Sequence, residues 1–188
     1  MPLPQNIWKD ENLIKTLKNN GVVIMPTDTI YGLAGKALNK EAVSRIYEIR
    51  KRNPNKPCII LIGDIHELEK FSIFLSAEQK NVIENFSIPT SFILNCPDEK
   101  FTYLHRGTNT LAFRIPKQEE LRNLLRQTGP LIAPSANLEA RPPSENIQEA
   151  KKYFGDSVDL YINGGEIISK ASKLIQLHKD GNVTILRA

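Results

Sequence analysis

Three short segments, far apart along this chain, carry residue types able to grip an anion. The first is Pro26-Thr27-Asp28-Thr29-Ile30-Tyr31-Gly32-Leu33. The second is the cationic group Arg50, Lys51, Arg52 and Lys56, and the third is Ala133-Pro134-Ser135-Ala136-Asn137. The first and third each follow an apolar run, so their hydroxyls and amide stand where a strand ends, the place where α/β proteins build ligand sites. Arginine offers a planar fork to phosphate oxygens, lysine a mobile point charge. Ser135 and Asn137 add neutral hydrogen bonds. Together the three segments fit an anionic, phosphorylated ligand.

Each segment also has a plainer explanation. Cations at the end of a helix complement its macrodipole. Thr27 and Thr29 can bond their own turn, and Asp28 reads as a solvated turn carboxylate rather than a metal ligand. Ser135 and Asn137 suit a turn or a cap. Arg50 and Arg52, two residues apart, diverge on a helix but share a direction if the chain leaves the helix extended, which Asn53-Pro54 favours.

Several other chemistries are excluded by spacing. Gly35-Lys36 is followed by Ala37, so there is no Walker A loop, and no G-x-G-x-x-G occurs. Ser135 lacks the flanking glycines of a nucleophile elbow. His66, His105 and His178 are isolated, and Cys58 and Cys96 sit in apolar runs. Neither a structural zinc site nor a disulfide framework is expected, and the cysteine usage fits a reducing cytoplasm.

The elements that must position these groups can be read from periodicity and capping. Asp10 to Asn20 has the pattern of an amphipathic helix, with Gly21 at the C′ position. Val22 to Met25 and Cys58 to Ile62 are apolar strands. Asn39 caps a helix whose inner side carries Ala42, Val43, Ile46, Tyr47 and Ile49. Asp64 with Glu67, and Ser76 with Gln79, have capping-box spacing. Thr90 to Leu94, Thr110 to Ile115 and Leu131 to Ala133 read as strands, and Lys117 to Gln127 as a helix. Ser144 is placed to cap a helix through Tyr153. Val158 to Ile162, Lys173 to Leu177 and Val183 to Leu186 complete the strands. Helices and strands alternate early and strands dominate late. The expected fold is therefore α/β, a twisted mixed (parallel and antiparallel) open sheet flanked by helices.

Hydrophobic residues are 40% and charged residues 24% of 188, an ordinary globular composition, and the expectation is one domain over residues 1–188. No apolar run is long enough to span a bilayer, and the first ten residues hold no signal-peptide core, so no membrane association is expected. The net charge of +4 permits nucleic-acid contact without requiring it.

In order and spacing, these segments resemble the YrdC/TsaC family. Pro26 to Leu33 is similar to its P-T-[ED]-T-x-Y-G-L signature, and Arg52, Lys56 and the strand that follows to its K-x-R segment. Leu111 to Pro116 resembles its arginine-bearing strand, and Gly129 to Leu138 its G-P-[IL]-x-A-P-S-A-N-[LI]. Gly164-Gly165, Ser172 and Leu186-Arg187 resemble its closing elements. The chain departs from the pattern at four places. Arg50 stands where the family has lysine. Phe86 to Ser91 replaces W-P-G-P-[LV]-T, Glu139-Ala140 replaces S-G, and Ala171-Ser172-Lys173 replaces P-S-T.

The resemblance implies a YrdC-like fold without an appended C-terminal domain. It also implies threonylcarbamoyl-AMP synthesis for tRNA t6A37 modification. L-threonine, bicarbonate and ATP would give L-threonylcarbamoyladenylate and pyrophosphate, with Mg²⁺ on the phosphates and no metal site assigned to protein side chains. By motif position, Arg50, Arg52 and Lys56 are catalytic. Arg52, Lys56, Thr110, Ser135, Asn137 and Arg187 bind ATP, and Thr27, Thr29, Arg114 and Ser172 bind threonine. Arg45, Lys51 and Arg141, with Lys151 and Lys152, are candidates for tRNA contact. A t6A transferase machinery would receive the intermediate. Two other readings stay open: a noncatalytic protein on the same fold that binds double-stranded RNA, tRNA or a nucleotide, and carbamoyl-adenylate chemistry.

Overall fold

A computed structural model describes residues 7–188; residues 1–6, part of the N-terminal stretch read for a leader, lie outside the described residues. Helix α1 is Glu11–Lys18, followed by β1 at Val23–Pro26 and β2 at Tyr31–Lys36. Helix α2 is Lys40–Arg50 and β3 is Ile59–Leu61. Then come α3 at Ala77–Asn85, β4 at Thr90–Asn95, α4 at Thr102–His105 and β5 at Thr110–Arg114. Helix α5 is Glu119–Thr128, β6 is Leu131–Ile132 and α6 is Ile147–Phe154. Strands β7 (Leu160–Tyr161), β8 (Lys173–Leu177) and β9 (Val183–Arg187) finish the chain.

The strands form one nine-stranded sheet in the order β7-β1-β2-β6-β3-β5-β4-β8-β9. Three pairs are parallel (β1 with β7, β3 with β5, β4 with β8) and five antiparallel, so the sheet is mixed, as expected. Successive side chains of a strand point to opposite faces, and here both faces are covered. Val22, Ile24 and Ile60 join one core with Val43, Ile46 and Phe154 from α2 and α6. Val23, Met25 and Leu61 join the other with Leu13 and Leu17 of α1 and Leu121, Leu124 and Leu125 of α5. Burying each such side chain contributes about 1.5–3 kcal/mol.

Local capping follows the sequence. Asn39 accepts from the Ala42 amide at 2.7 Å, and both arms of the Ser76–Gln79 capping box are present. Helix α2 ends where Lys51 adopts φ +51°. This left-handed residue turns the chain outward, leaving Arg50 inside and carrying Arg52 to the turn at Lys56.

Tyr31–Lys36, to which the sequence reading assigned no element, is a strand, because β1 and β6 pair on either side of it. Three expectations are corrected. The cap of α6 is Asn146, which accepts from the Glu149 amide, while the Ser144 hydroxyl donates to the Ala136 carbonyl. The segment after Asp64 is a 3₁₀ helix, Ile65–Phe71, and Glu67 reaches back past Asp64 to the Gly63 amide at 2.6 Å. After α1 the left-handed position is Asn20 (φ +63°), not Gly21. Gly21 is required for space instead, since a Cβ there would lie 2.5 Å from Thr16 Cγ2.

Candidate active site

Backbone pairing joins the first and third segments. Gly32 bridges Ser135, the Leu33 amide donates to the Pro134 carbonyl at 2.9 Å, and the Ala136 amide donates to the Tyr31 carbonyl at 2.9 Å. A Cβ at position 32 would meet Thr27 Cγ2 at 3.0 Å, so glycine permits this approach. The second segment joins through Arg50. Its Nε donates to the Asn137 carbonyl at 2.9 Å. Its Nη2 donates to Asn137 Oδ1 at 3.0 Å and to Ser135 Oγ at 3.2 Å.

Two cavities open on this junction. One, of about 360 Å³, is lined by Arg52, Thr108, Thr110, Ser135 and Arg187 with apolar walls from Ile59, Ile93 and Leu174. The other, of about 220 Å³, is lined by Thr27, Thr29, Tyr31, Arg114, Ser172 and Arg187. Ile59, Pro134, Ser135 and Arg187 line both, so the cavities share a wall. The first combines cations, hydroxyls and apolar side chains; the second is smaller, with hydroxyls and two arginines set among apolar side chains.

In the smaller cavity the charges are ordered by a buried ion pair. Arg114 Nη2 donates to Asp28 Oδ1 at 2.7 Å, with both side chains 5% exposed or less. The reading of Asp28 as a solvated turn carboxylate is therefore corrected: strand β5 brings a guanidinium to it from 86 residues away. Arg114 Nε is buried without a hydrogen-bond partner. Burial and the neighbouring Arg114 hold Arg187 below its ordinary pKa. Two guanidiniums beside one carboxylate leave room for one further anion. Arg187 also donates twice to the Ser172 carbonyl, and Ser172 Oγ meets Ser91 Oγ at 2.8 Å, both hydroxyls buried. Across the cavity, Tyr31 Oη accepts from the Gly164 amide and donates to the Gly165 carbonyl, each at 2.8 Å. Burial raises the Tyr31 pKa.

The predicted residues thus divide. Arg52, Thr110, Ser135 and Arg187 line the larger cavity, and Thr27, Thr29, Arg114 and Ser172 the smaller. Arg50, Asn137 and Lys56 line neither. Asn137 Nδ2 donates to the Leu138 and Arg141 carbonyls, both at 2.7 Å, so its amide builds the loop. Arg52 donates to the Lys56 and Pro57 carbonyls. Among the surface candidates, Arg45 is held bidentately by Asp159, while Lys51 and Arg141 are exposed. The sequence reading missed Thr108, Tyr31 and Glu139. Tyr31 lay inside the first motif, while Thr108 and Glu139 carried no periodicity or cap signal. Among the described residues no group of three or more His, Cys, Asp or Glu is placed to hold a metal, and no helix is long and apolar enough to cross a membrane.

A family model named for Sua5, YciO and YrdC, and described as "Telomere recombination", matches residues 15–188. The threonylcarbamoyl-AMP synthase of Bacillus subtilis is 31% identical over 179 residues, covering 89% of this chain and 52% of that protein. A putative threonylcarbamoyl-AMP synthase of Methanocaldococcus jannaschii is 32% identical over 181 residues, covering 93% of this chain and 83% of that one. The crystal structure of P. abyssi Sua5 complexed with L-threonine superposes with a TM-score of 0.85 at 28% identity, covering 96% of this chain and 54% of the other. The chain therefore spans about half the length of the first and third of these proteins.

Proposed function

The chain belongs to the Sua5/YciO/YrdC family, and on that basis we propose that it is a threonylcarbamoyl-AMP synthase. The observation that carries the reading is the shared wall of the two cavities. One is suited to a nucleotide triphosphate and the other to a small amino acid, and they meet at Ser135 and Arg187. The relatives named above as threonylcarbamoyl-AMP synthases, and the Sua5 protein complexed with L-threonine, support the same choice.

On this reading L-threonine occupies the smaller cavity, its carboxylate toward Arg114 and its hydroxyl among Thr27, Thr29 and Ser172. ATP occupies the larger one, with phosphates toward Arg52 and the Ser135 hydroxyl. The threonine amine adds to carbon dioxide derived from bicarbonate and loses a proton, giving a carbamate. A carbamate oxygen then forms a bond to the α-phosphorus, the bond to the bridging oxygen breaks, and pyrophosphate leaves with that electron pair. No protein nucleophile is needed. The side chains supply proximity and stabilise charge on the departing pyrophosphate. Arg50 acts as a positioning residue through Ser135 and Asn137. The larger cavity offers hydroxyls and cations but no carboxylate in its wall. That donor set fits Mg²⁺ carried in on the phosphates, where it would neutralise their charge. The product would pass to the t6A transferase machinery in the cytoplasm, and contact with tRNA would be nonspecific and salt-sensitive.

The test is pyrophosphate release from ATP with Mg²⁺ and bicarbonate, with L-threonine, with L-serine and with neither. Threonine-dependent release is expected. Arg52→Ala should lower kcat/KM by at least about 2 kcal/mol of transition-state stabilisation, roughly thirtyfold. ATP binding without threonine-dependent release would refute the enzyme and leave a nucleotide-binding protein.

A further inference from the structure

We propose that Glu139 is an internal competitor for the anion at the cationic cluster and sets how tightly a phosphorylated ligand is held there. The inference rests on the phosphate role assigned above to Arg52, and extends it to Arg50 and Lys56 beside it. Glu139 Oε2 lies 3.8 Å from Arg50 Nη1 and 3.6 Å from Arg52 Nη1, and Oε1 lies 3.3 Å from Lys56 Nζ. These are three of the four cations of the second sequence segment, Lys51 standing apart. Among the described residues, no other carboxylate approaches any of the three within ion-pair distance.

Two observations distinguish a competitor from a structural tie. The first concerns what holds the side chain. The loop backbone is anchored without it, since the Glu139 amide donates to the Arg50 carbonyl at 2.9 Å and Asn137 Nδ2 closes the turn. The carboxylate itself is 28% exposed and stands further from all three cations than a tight charge-assisted bond, about 2.7–2.9 Å, requires. It can therefore swing to solvent without disturbing the loop. The second is Arg50 Nη1, which is buried and has no hydrogen-bond partner. A donor left open beside a distant carboxylate has room to serve a closer oxygen, and a phosphate oxygen displacing Glu139 would supply one. The competitor also stands at a place where the chain departs from the sequence pattern it resembles. Glu139-Ala140 replaces S-G, and Ala140 keeps the left-handed conformation, φ +63°, that glycine would favour.

Entry of a polyphosphate exchanges one anion for another, so the cluster releases its ligand more readily than three unopposed cations would. Removing the Glu139 charge should tighten polyphosphate binding by roughly tenfold, the scale for deleting one like charge beside a partly exposed site.

The experiment is calorimetric titration of the full chain with inorganic tripolyphosphate, which needs no catalysis. Wild type, Glu139→Gln, Glu139→Asp and the remote control Glu84→Gln are compared at two salt concentrations. The expected result is about tenfold tighter binding by E139Q with a steeper salt dependence, E139D at least as tight as wild type, and E84Q unchanged. Binding by E139Q equal to or weaker than wild type, or E139D weaker than wild type, would make Glu139 a strap that orders the cations and overturn the proposal alone. Absence of tripolyphosphate binding in both wild type and E139Q would overturn it together with the phosphate role of the cluster. Threonine-dependent pyrophosphate release by the wild type decides the enzymatic reading independently.

Discussion

Replacing Arg50 by lysine separates a structural role from a purely electrostatic one. The Arg50 side chain is 4% exposed and makes three hydrogen bonds, two to Asn137 and one to Ser135. A lysine keeps the charge but presents a single ammonium, which can replace only one of the three from this position. A hydrogen bond to a charged group contributes about 1.5–3 kcal/mol net. Two lost bonds, partly offset by rotation of the ammonium, give a destabilisation of about 3 kcal/mol. At about 2–4 °C per kcal/mol for a chain of this size, the melting temperature should fall by roughly 6–12 °C. The loop bearing Ser135 loosens as well, so KM for ATP should rise while the charge at the cluster stays constant. The assay is calorimetric melting of ligand-free protein, paired with ATP titration. A melting temperature for R50K within about 1 °C of wild type would refute the positioning role.

Three further outcomes follow from the geometry. Asp28→Asn leaves the Arg114 charge buried without its counter-ion and should cost about 3–5 kcal/mol, with L-threonine raising the melting temperature more in the variant than in wild type because its carboxylate restores an anion; equal shifts would move threonine away from Arg114. Ser91→Ala and Ser172→Ala should each cost about 1–3 kcal/mol by orphaning the other hydroxyl, and the double variant should cost little more than either alone, so strict additivity in a double-mutant cycle would show that the two do not depend on each other. Burial, with Cys58 beside it, pushes the Tyr47 phenol from 10.0 up to about 12. Because its folded value is raised, its contribution to stability is present below about pH 10 and is lost as pH climbs toward 12. Burial also raises Tyr31, Tyr103 and Tyr161, so the Tyr47 step is identified by difference: ultraviolet titration of Tyr47→Phe should lose absorbance change near pH 12, and an unchanged high-pH step would refute the assignment.

What the sequence determined by itself is whatever depends on a few neighbouring residues. Asn39, Ser76 with Gln79 and Asp10 cap helices because a cap bonds an amide two or three positions on. The apolar runs at Val22–Met25 and Cys58–Ile62 became central strands because both faces of the sheet are covered. The three ligand segments were legible because hydroxyls and cations gathered at element ends. Strand β2 was not legible: Gly32 and Gly35 weaken its local signal, and only pairing with β1 and β6 makes it a strand. The tertiary structure alone decided which charges meet. Asp28 met Arg114 across 86 residues, and Glu139 met Lys56 across 83. It also decided that Arg50 turns inward to hold Ser135 and Asn137 while Arg52 faces the cavity. Ion pairs and cavity walls depend on which strands lie side by side and in what register, and no short window of sequence contains that information.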